Sequence, residues 1–322
     1  MMANALAPTT HPILVAGPTA CGKSEVALLL AERLGGQIIS VDSMQVYRGL
    51  DIGTAKPSPA ECARVPHHLI DVVEVTENFD AAKFATLAHR AAAEIQSRRR
   101  VPILCGGTGL YFRAFLDGLG EAPPADARLR AELEATPLPL LLRELETRDP
   151  ATFAAIDRKN PRRVIRAVEV IRLTGRKFSE QRAEWKPAAS VQPSGPRCFG
   201  LAREADDLRS RIETRVDEMF RRGLVEETRR LLERGLAQNP TAMQAIGYRQ
   251  VVGHLRGARS LTETIELVKV RTRQFAKRQM TWFRRHAAVT WLEISPRESA
   301  SSVADRLVAA AGLNPSVRQE VR

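Results

Sequence analysis

Three stretches of this sequence carry residue types suited to chemistry on phosphates and protons. Gly17, Pro18, Thr19, Ala20, Cys21, Gly22, Lys23 and Ser24 match the spacing G-x-x-x-x-G-K-[ST]. In such a loop the glycines let successive backbone N–H groups turn toward phosphate oxygens, the lysine adds a point charge, and the hydroxyl is offered to Mg2+. The pattern calls for a bound di- or triphosphate and leaves the reaction open. Asp42 opens the second stretch, Asp42-Ser43-Met44-Gln45-Val46-Tyr47-Arg48, after an apolar run. A carboxylate there could take a proton, hold Mg2+ through water, or cap a helix. The third stretch, Cys105-Gly106-Gly107-Thr108-Gly109, offers a close backbone approach to a ligand and one hydroxyl. It lacks the strand-end Asp with which many phosphate-loop NTPases hold Mg2+, which counts against an ordinary ATPase.

The elements that must position these residues read as an α/β chain. Ile13–Val15 predicts a short buried strand and Glu25–Leu34 the helix whose positive end faces the anion. Strands are expected at 37–41, 67–73, 101–104 and 198–201, and a helix at 80–99. Polar residues just past a strand's C-terminal end belong on the ligand side of such a sheet. His67 and His68 would point to opposite faces, which favours hydrogen bonding over a shared metal. From 122 the pattern turns helical, with helices at 126–134 and 139–148. A third helix is entered through Asn160-Pro161 and stopped by Gly175. A Pro/Ser/Gly linker covers 188–196. The expected organisation is a discontinuous catalytic core at 12–121 and 197–310, a helical insertion at 122–196, a leader at 1–11 and a tail at 311–322. Further helices are expected at 207–222, 224–234 and 269–285, and an Ala/Leu/Val helix follows Ser295.

Charge points to a polyanionic partner. The 322 residues hold 49 Lys and Arg against 37 Asp and Glu, a formal charge of +12. Residues 269–285 carry seven basic side chains, no acid, and Phe275 and Trp282 among them. A basic stripe with aromatics suits a nucleic-acid backbone, whereas a merely solvated helix usually mixes its charge signs. Cys21, Cys62, Cys105 and Cys198 form no C-x-x-C pair, so neither a zinc site nor a disulfide framework is indicated. Reduced thiols in a cytoplasmic protein are expected, with oxidation of Cys21 a way to block the loop. No stretch approaches the ~20 apolar residues of a membrane span, and no signal peptide is visible. Nothing signals oligomerisation, and a monomer is expected.

Six motifs in colinear order carry a resemblance. They are Gly17–Ser24, Asp42–Pro57, His-His-Leu-Ile-Asp at 67–71, Gly-Gly-Thr-Gly-Leu-Tyr at 106–111, Ile-Gly-Tyr-Arg-Gln at 246–250, and the run from Thr272 to Phe283. Over residues 12–290 the chain resembles the bacterial tRNA dimethylallyltransferases of the tRNA isopentenyltransferase family. The resemblance implies a P-loop NTPase-like parallel sheet flanked by helices, with a small all-helical insertion. It implies transfer of a dimethylallyl group from dimethylallyl diphosphate to N6 of adenosine 37 in the tRNA anticodon loop, with Mg2+ as cofactor bound through Ser24. By resemblance Asp42 is the base, Thr108 positions a substrate, and Arg215, or Arg211 in its place, helps the loop hold the diphosphate. Asp42, Ser43, Met44, Gln45 and Thr108 would meet the nucleotide. On the insertion, Arg130, Arg162, Arg163, Val164, Ile165 and Arg166 would contact tRNA. So would Gln244, Gly247, Tyr248 and Arg249, and on the basic helix Lys277, Arg278, Gln279, Trp282 and Arg284. Two readings compete: a kinase or isopentenyltransferase acting on a free nucleotide, which would not need the basic helix, and an RNA-binding nucleotide switch, which leaves Asp42 and Thr108 without a task.

Overall fold

A computed structural model describes residues 11–181, 183 and 197–313. The leader before residue 11, the linker at 188–196 and the tail from 314 lie outside them. The described residues fall into two compact units, one from residues 11–115 and 197–313, the other from residues 116 to 183.

The larger unit is built on six strands: β1 (Ile13–Ala16), β2 (Gln37–Val41), β3 (His67–His68), β4 (Pro102–Gly106), β5 (Arg197–Arg203) and β6 (Thr290–Ile294). They are all parallel, in the order β3-β2-β4-β1-β5-β6. Every residue of β1, β2 and β4 is buried, as expected of strands covered on both faces. The first helices are α1 (Lys23–Leu34), α2 (Pro59–Arg64), α3 (Ala81–Ser97) and α4 (Gly109–Asp117). Next come α5 (Ala127–Ala135), α6 (Leu138–Arg148), α7 (Pro150–Ala155), α8 (Pro161–Thr174) and α9 (Phe178–Gln181), which belong to the smaller unit. The chain then returns to the sheet with α10 (Ala205–Arg221), α11 (Leu224–Glu233), α12 (Tyr248–Leu255), α13 (Leu261–His286) and α14 (Ala300–Ala310). In the smaller unit Asn160 caps α8 by accepting from the Arg163 N–H, and Gly175 ends it in a left-handed turn. Its stripe of Val164, Val168 and Ile171 packs with Leu133, Leu141 and Leu145 as that unit's core.

The structure departs from the sequence expectation in three places. The strand expected over 67–73 is only two residues long, because Leu69 and Asp71 take left-handed φ values of 62° and 53° that no strand accommodates. Helices α2, α4, α7, α9 and α12 and strand β6 are additional elements, and β6 extends the sheet beside β5. The lone acid-free stretch at 269–285 is part of a longer helix whose neighbour supplies the acids. Lys269 pairs with Asp217 at 2.8 Å and Arg273 with Glu213 at 2.8 Å, both acids on α10.

One buried polar cluster anchors the loop after Asp42. Tyr248 is fully buried at the start of α12, and its hydroxyl donates to Glu227 on α11 and accepts from the Gly53 N–H at 3.0 Å. The Glu227 carboxylate also accepts from the Ile52 N–H at 3.0 Å. Burial pushes the Glu227 carboxyl above its usual range despite these donors. Gly53 is a true close approach, since a Cβ there would sit 2.4 Å from the Tyr248 ring. Tyr248→Phe removes the acceptor of the Gly53 N–H and the donor to the buried Glu227 carboxylate, which keeps only the Ile52 N–H, and is expected to cost about 1–3 kcal/mol in chemical denaturation. An unchanged midpoint would show that the cluster does not hold the loop.

Candidate active site

The functional residues gather at the carboxyl edge of the sheet because three strands end in register. Ala16 of β1 and Val41 of β2 both pair with Gly106 of β4. The phosphate loop, the Thr108 loop and Asp42 thus leave adjacent strands side by side, with β4 in the middle. Two strand spacings put the backbone at Gly17 and at Asp42 about 10 Å apart. The chain crosses from β1 to β2 on one side and reaches β5 on the other, so this is also the point where the strand order reverses, the usual ligand crevice of an open α/β sheet.

The phosphate loop is shaped from outside by two arginines. Arg203 Nε donates to the Cys21 carbonyl and Arg211 Nε to the Ala20 carbonyl, each at 2.9 Å. Pulling these carbonyls outward turns the following N–H groups inward. Ala20 takes a left-handed φ of 66° and Gly22 one of 98° to make the turn. No side chain caps α1, which leaves the N–H groups of its first turn for an anion. Lys23 Nζ donates to the Pro18 carbonyl at 3.1 Å. Arg215, one turn after Arg211 on α10, is half-buried near Cys21 and Arg211, and desolvation pushes its guanidinium below the ordinary arginine value. It makes no ion pair or hydrogen bond among the described residues. A charge held this way calls for an anionic ligand. Arg211, in contrast, already supports the loop backbone.

Asp42 is oriented rather than free to swing. Its Oδ1 accepts the Met44 N–H at 2.8 Å and the Gln45 N–H at 3.3 Å, and neither bond engages Oδ2. Thr108 Oγ1 accepts the Ser43 N–H at 3.2 Å and ties the middle loop to Asp42's neighbour. The Gln45 carboxamide is fully used, accepting from Ser40 Oγ and donating to the Thr54 and Ala55 carbonyls. It braces the Asp42 loop against residues 54–55. Beneath the site Cys105 is buried, with Lys23, Cys21 and Asp42 near enough to act on its thiol, which burial pushes up to about 12. Cys21 is buried at 0% exposure, so the expected oxidation of this thiol has no open route.

Several residues expected at an RNA surface are turned inward instead. Val164 and Ile165 sit in the core of the smaller unit, because the apolar stripe of α8 claims them. Gly247 and Tyr248 are buried by the Glu227 cluster. Gln279 is buried between two loops, where it accepts the Thr19 N–H at 2.9 Å and donates to the Gly107 carbonyl at 2.9 Å. Arg130 and Arg166 remain partly exposed, both pinned by the fully buried Glu169. Arg162, Arg163, Gln244, Arg249, Lys277, Arg278 and Arg284 are exposed, and Trp282 is half-buried. Lys277, Arg278, Trp282 and Arg285 line an open groove of about 430 Å3 along α13. Among the functional contacts, Arg203 and Glu227 carry no recognisable motif.

The Gly-Gly-Thr-Gly run also has a second cause. A Cβ at Gly107 would lie 2.1 Å from Gln279 Nε2, and one at Gly109 2.1 Å from the Trp282 ring. These glycines admit protein neighbours, not only a ligand.

Residues 45–286 match the IPP transferase family. The chain belongs to that family. A tRNA dimethylallyltransferase of Geobacter sulfurreducens is 45% identical over 308 residues, covering 94% of this chain and 98% of the relative. The crystal structure of the full-length tRNA isopentenylpyrophosphate transferase from Bacillus halodurans matches with TM-score 0.68 and 39% identity, over 94% of this chain and 97% of that one. A eukaryotic dimethylallyltransferase acting on tRNA matches with TM-score 0.76 and 26% identity, over 94% and 78%.

No group of three or more His, Cys, Asp or Glu among the described residues could hold a metal ion. The described residues of this IPP transferase therefore offer no protein cage. A site of this kind suits Mg2+, which keeps several waters and would be held mainly by substrate phosphates, and the phosphate loop offers it the Ser24 hydroxyl. Among the described residues no helix is long and apolar enough to cross a membrane.

Proposed function

We propose that this chain transfers the dimethylallyl group of dimethylallyl diphosphate to N6 of adenosine 37 in tRNA, in the cytoplasm and as a monomer. The observation that carries this reading is the order along the sheet edge: phosphate loop, Thr108, Asp42, on three adjacent strands. The diphosphate sits on the loop and the first turn of α1, with Lys23 and Arg215 against its oxygens. Mg2+, when bound through Ser24, supplies further charge neutralisation to the leaving group.

The N6 lone pair forms a bond to C1 of the allyl group as the C1–O bond breaks. The electron pair of that bond leaves with the diphosphate, where fixed N–H groups and cations receive it. The adenine amine is a weak nucleophile, and Asp42 Oδ2 takes its proton. The base must leave the anticodon-loop stack to reach this position. Lys277, Arg278 and Arg284 on α13 then face the RNA backbone, and the helical unit adds Arg162 and Arg163.

The test is mass analysis of nucleosides from unmodified tRNA incubated with the protein, Mg2+ and dimethylallyl diphosphate. One isoprenyl unit on a single adenosine beside the anticodon is expected. Release of phosphate from ATP with no such gain would move the assignment to a nucleotide switch. Lys23→Ala is expected to weaken diphosphate binding and leave tRNA binding intact. Unchanged turnover in that variant would remove the loop from the reaction.

A further inference from the structure

We infer that Gln279 is a positioning residue that fixes the donor half of the site against the acceptor half. This rests on the function proposed above. One carboxamide spans the two loops: its oxygen accepts the Thr19 N–H of the phosphate loop and its nitrogen donates to the Gly107 carbonyl, both at 2.9 Å. Gly107 adjoins Thr108, whose hydroxyl accepts the Ser43 N–H beside Asp42. The β1–β4–β2 ladder already sets the two loops side by side, and Gln279 is the side chain that bridges them beyond the strand ends. Trp282, on the next turn of α13, packs over Gly109 in the Thr108 loop.

The geometry leaves no slack. Gln279 is 7% exposed, and Gly107 has no room for a Cβ beside its Nε2. The contact requires one acceptor and one donor at the two ends of a planar group, which only a carboxamide or a neutral carboxylic acid of this length provides. A prenyl transfer needs the leaving oxygen, C1 and N6 aligned, and a misplacement on the order of 1 Å can cost about 100-fold in rate. Gln279 therefore acts on turnover through the relative placement of two bound substrates, not through affinity for either. Its helix also carries Lys277, Arg278 and Trp282, so contact with RNA and the register of the two loops share one rigid element.

The full-length chain tests this through Gln279→Met and Gln279→Glu. Gln279→Met keeps the volume and loses both hydrogen bonds. Its kcat is expected to fall about 100-fold, with the separate Kd of dimethylallyl diphosphate and of tRNA each held within about threefold. Gln279→Glu presents a carboxylate to the Gly107 carbonyl at neutral pH and should be equally slow. That site is buried and faces an acceptor, so the introduced carboxyl is pushed up, and its neutral form restores the donor. Its kcat relative to wild type should therefore rise as pH falls from about 8 to about 6, while the Gln279→Met ratio stays flat. Wild-type kcat in Gln279→Met, or a pH ratio for Gln279→Glu as flat as that of Gln279→Met, would overturn the assignment. A fall in kcat accompanied by an equal loss of both affinities would overturn it too. Absence of transfer by the wild-type chain is a separate outcome, which overturns the proposed function and this inference with it.

Discussion

Asp42→Asn is expected to lower kcat by about 10²–10⁴-fold while leaving the Kd for tRNA unchanged. The reason is atomic. Asparagine keeps an Oδ1 that can accept the Met44 and Gln45 N–H groups, so the loop keeps its shape. What changes is the other atom: an amide nitrogen replaces Oδ2 and cannot take the proton from N6. The measurement is single-turnover transfer with saturating substrates, alongside filter binding of tRNA. Loss of binding in step with turnover would show Asp42 to be a structural cap, the other role its sequence position allows. Turnover near wild type would remove it from the chemistry.

Arg215→Lys is expected to lower kcat/KM for dimethylallyl diphosphate by about 10²–10³-fold, close to the effect of Arg215→Met. A lysine retains the charge but lacks the planar fork that engages two phosphate oxygens, and it must be desolvated at a half-buried position. Arg211→Lys is the contrast, since Arg211 spends its Nε on the Ala20 carbonyl and shapes the loop. The deciding comparison is donor KM against kcat in the two variants. A larger loss at Arg211 than at Arg215 would exchange their roles.

The sheet and the phosphate loop were legible because their causes are local. β2 spans Gln37–Val41, the segment expected as a strand, and Gly22 enters α1 as a loop glycine must. Asn160 and Gly175 bracket α8 for equally short-range reasons. Illegible features depend on distant partners. Gln279 meets Thr19 from 260 residues away and Gly107 from 172, and no periodicity in α13 distinguishes it from its exposed neighbours Lys277 and Arg278. Motif resemblance carried Val164, Ile165 and Tyr248 to an RNA surface because a motif records position along the chain and not which way a side chain turns. The two glycines of the Thr108 loop read as room for a ligand, and Gln279 and Trp282 fill that room.

The pairing of α13 with α10 sets how cationic this protein is toward a polyanion. Each phosphate that a protein charge neutralises releases condensed counterions, and that release drives most of the salt-dependent affinity. Lys269 and Arg273 are already matched by Asp217 and Glu213, so they release little when RNA arrives. Of seven basic residues between 269 and 285, five are left for such an exchange. The two spent charges hold the helix on the core, and under the proposed function the exchange falls to Arg271 and, toward the end that carries Trp282, to Lys277, Arg278, Arg284 and Arg285.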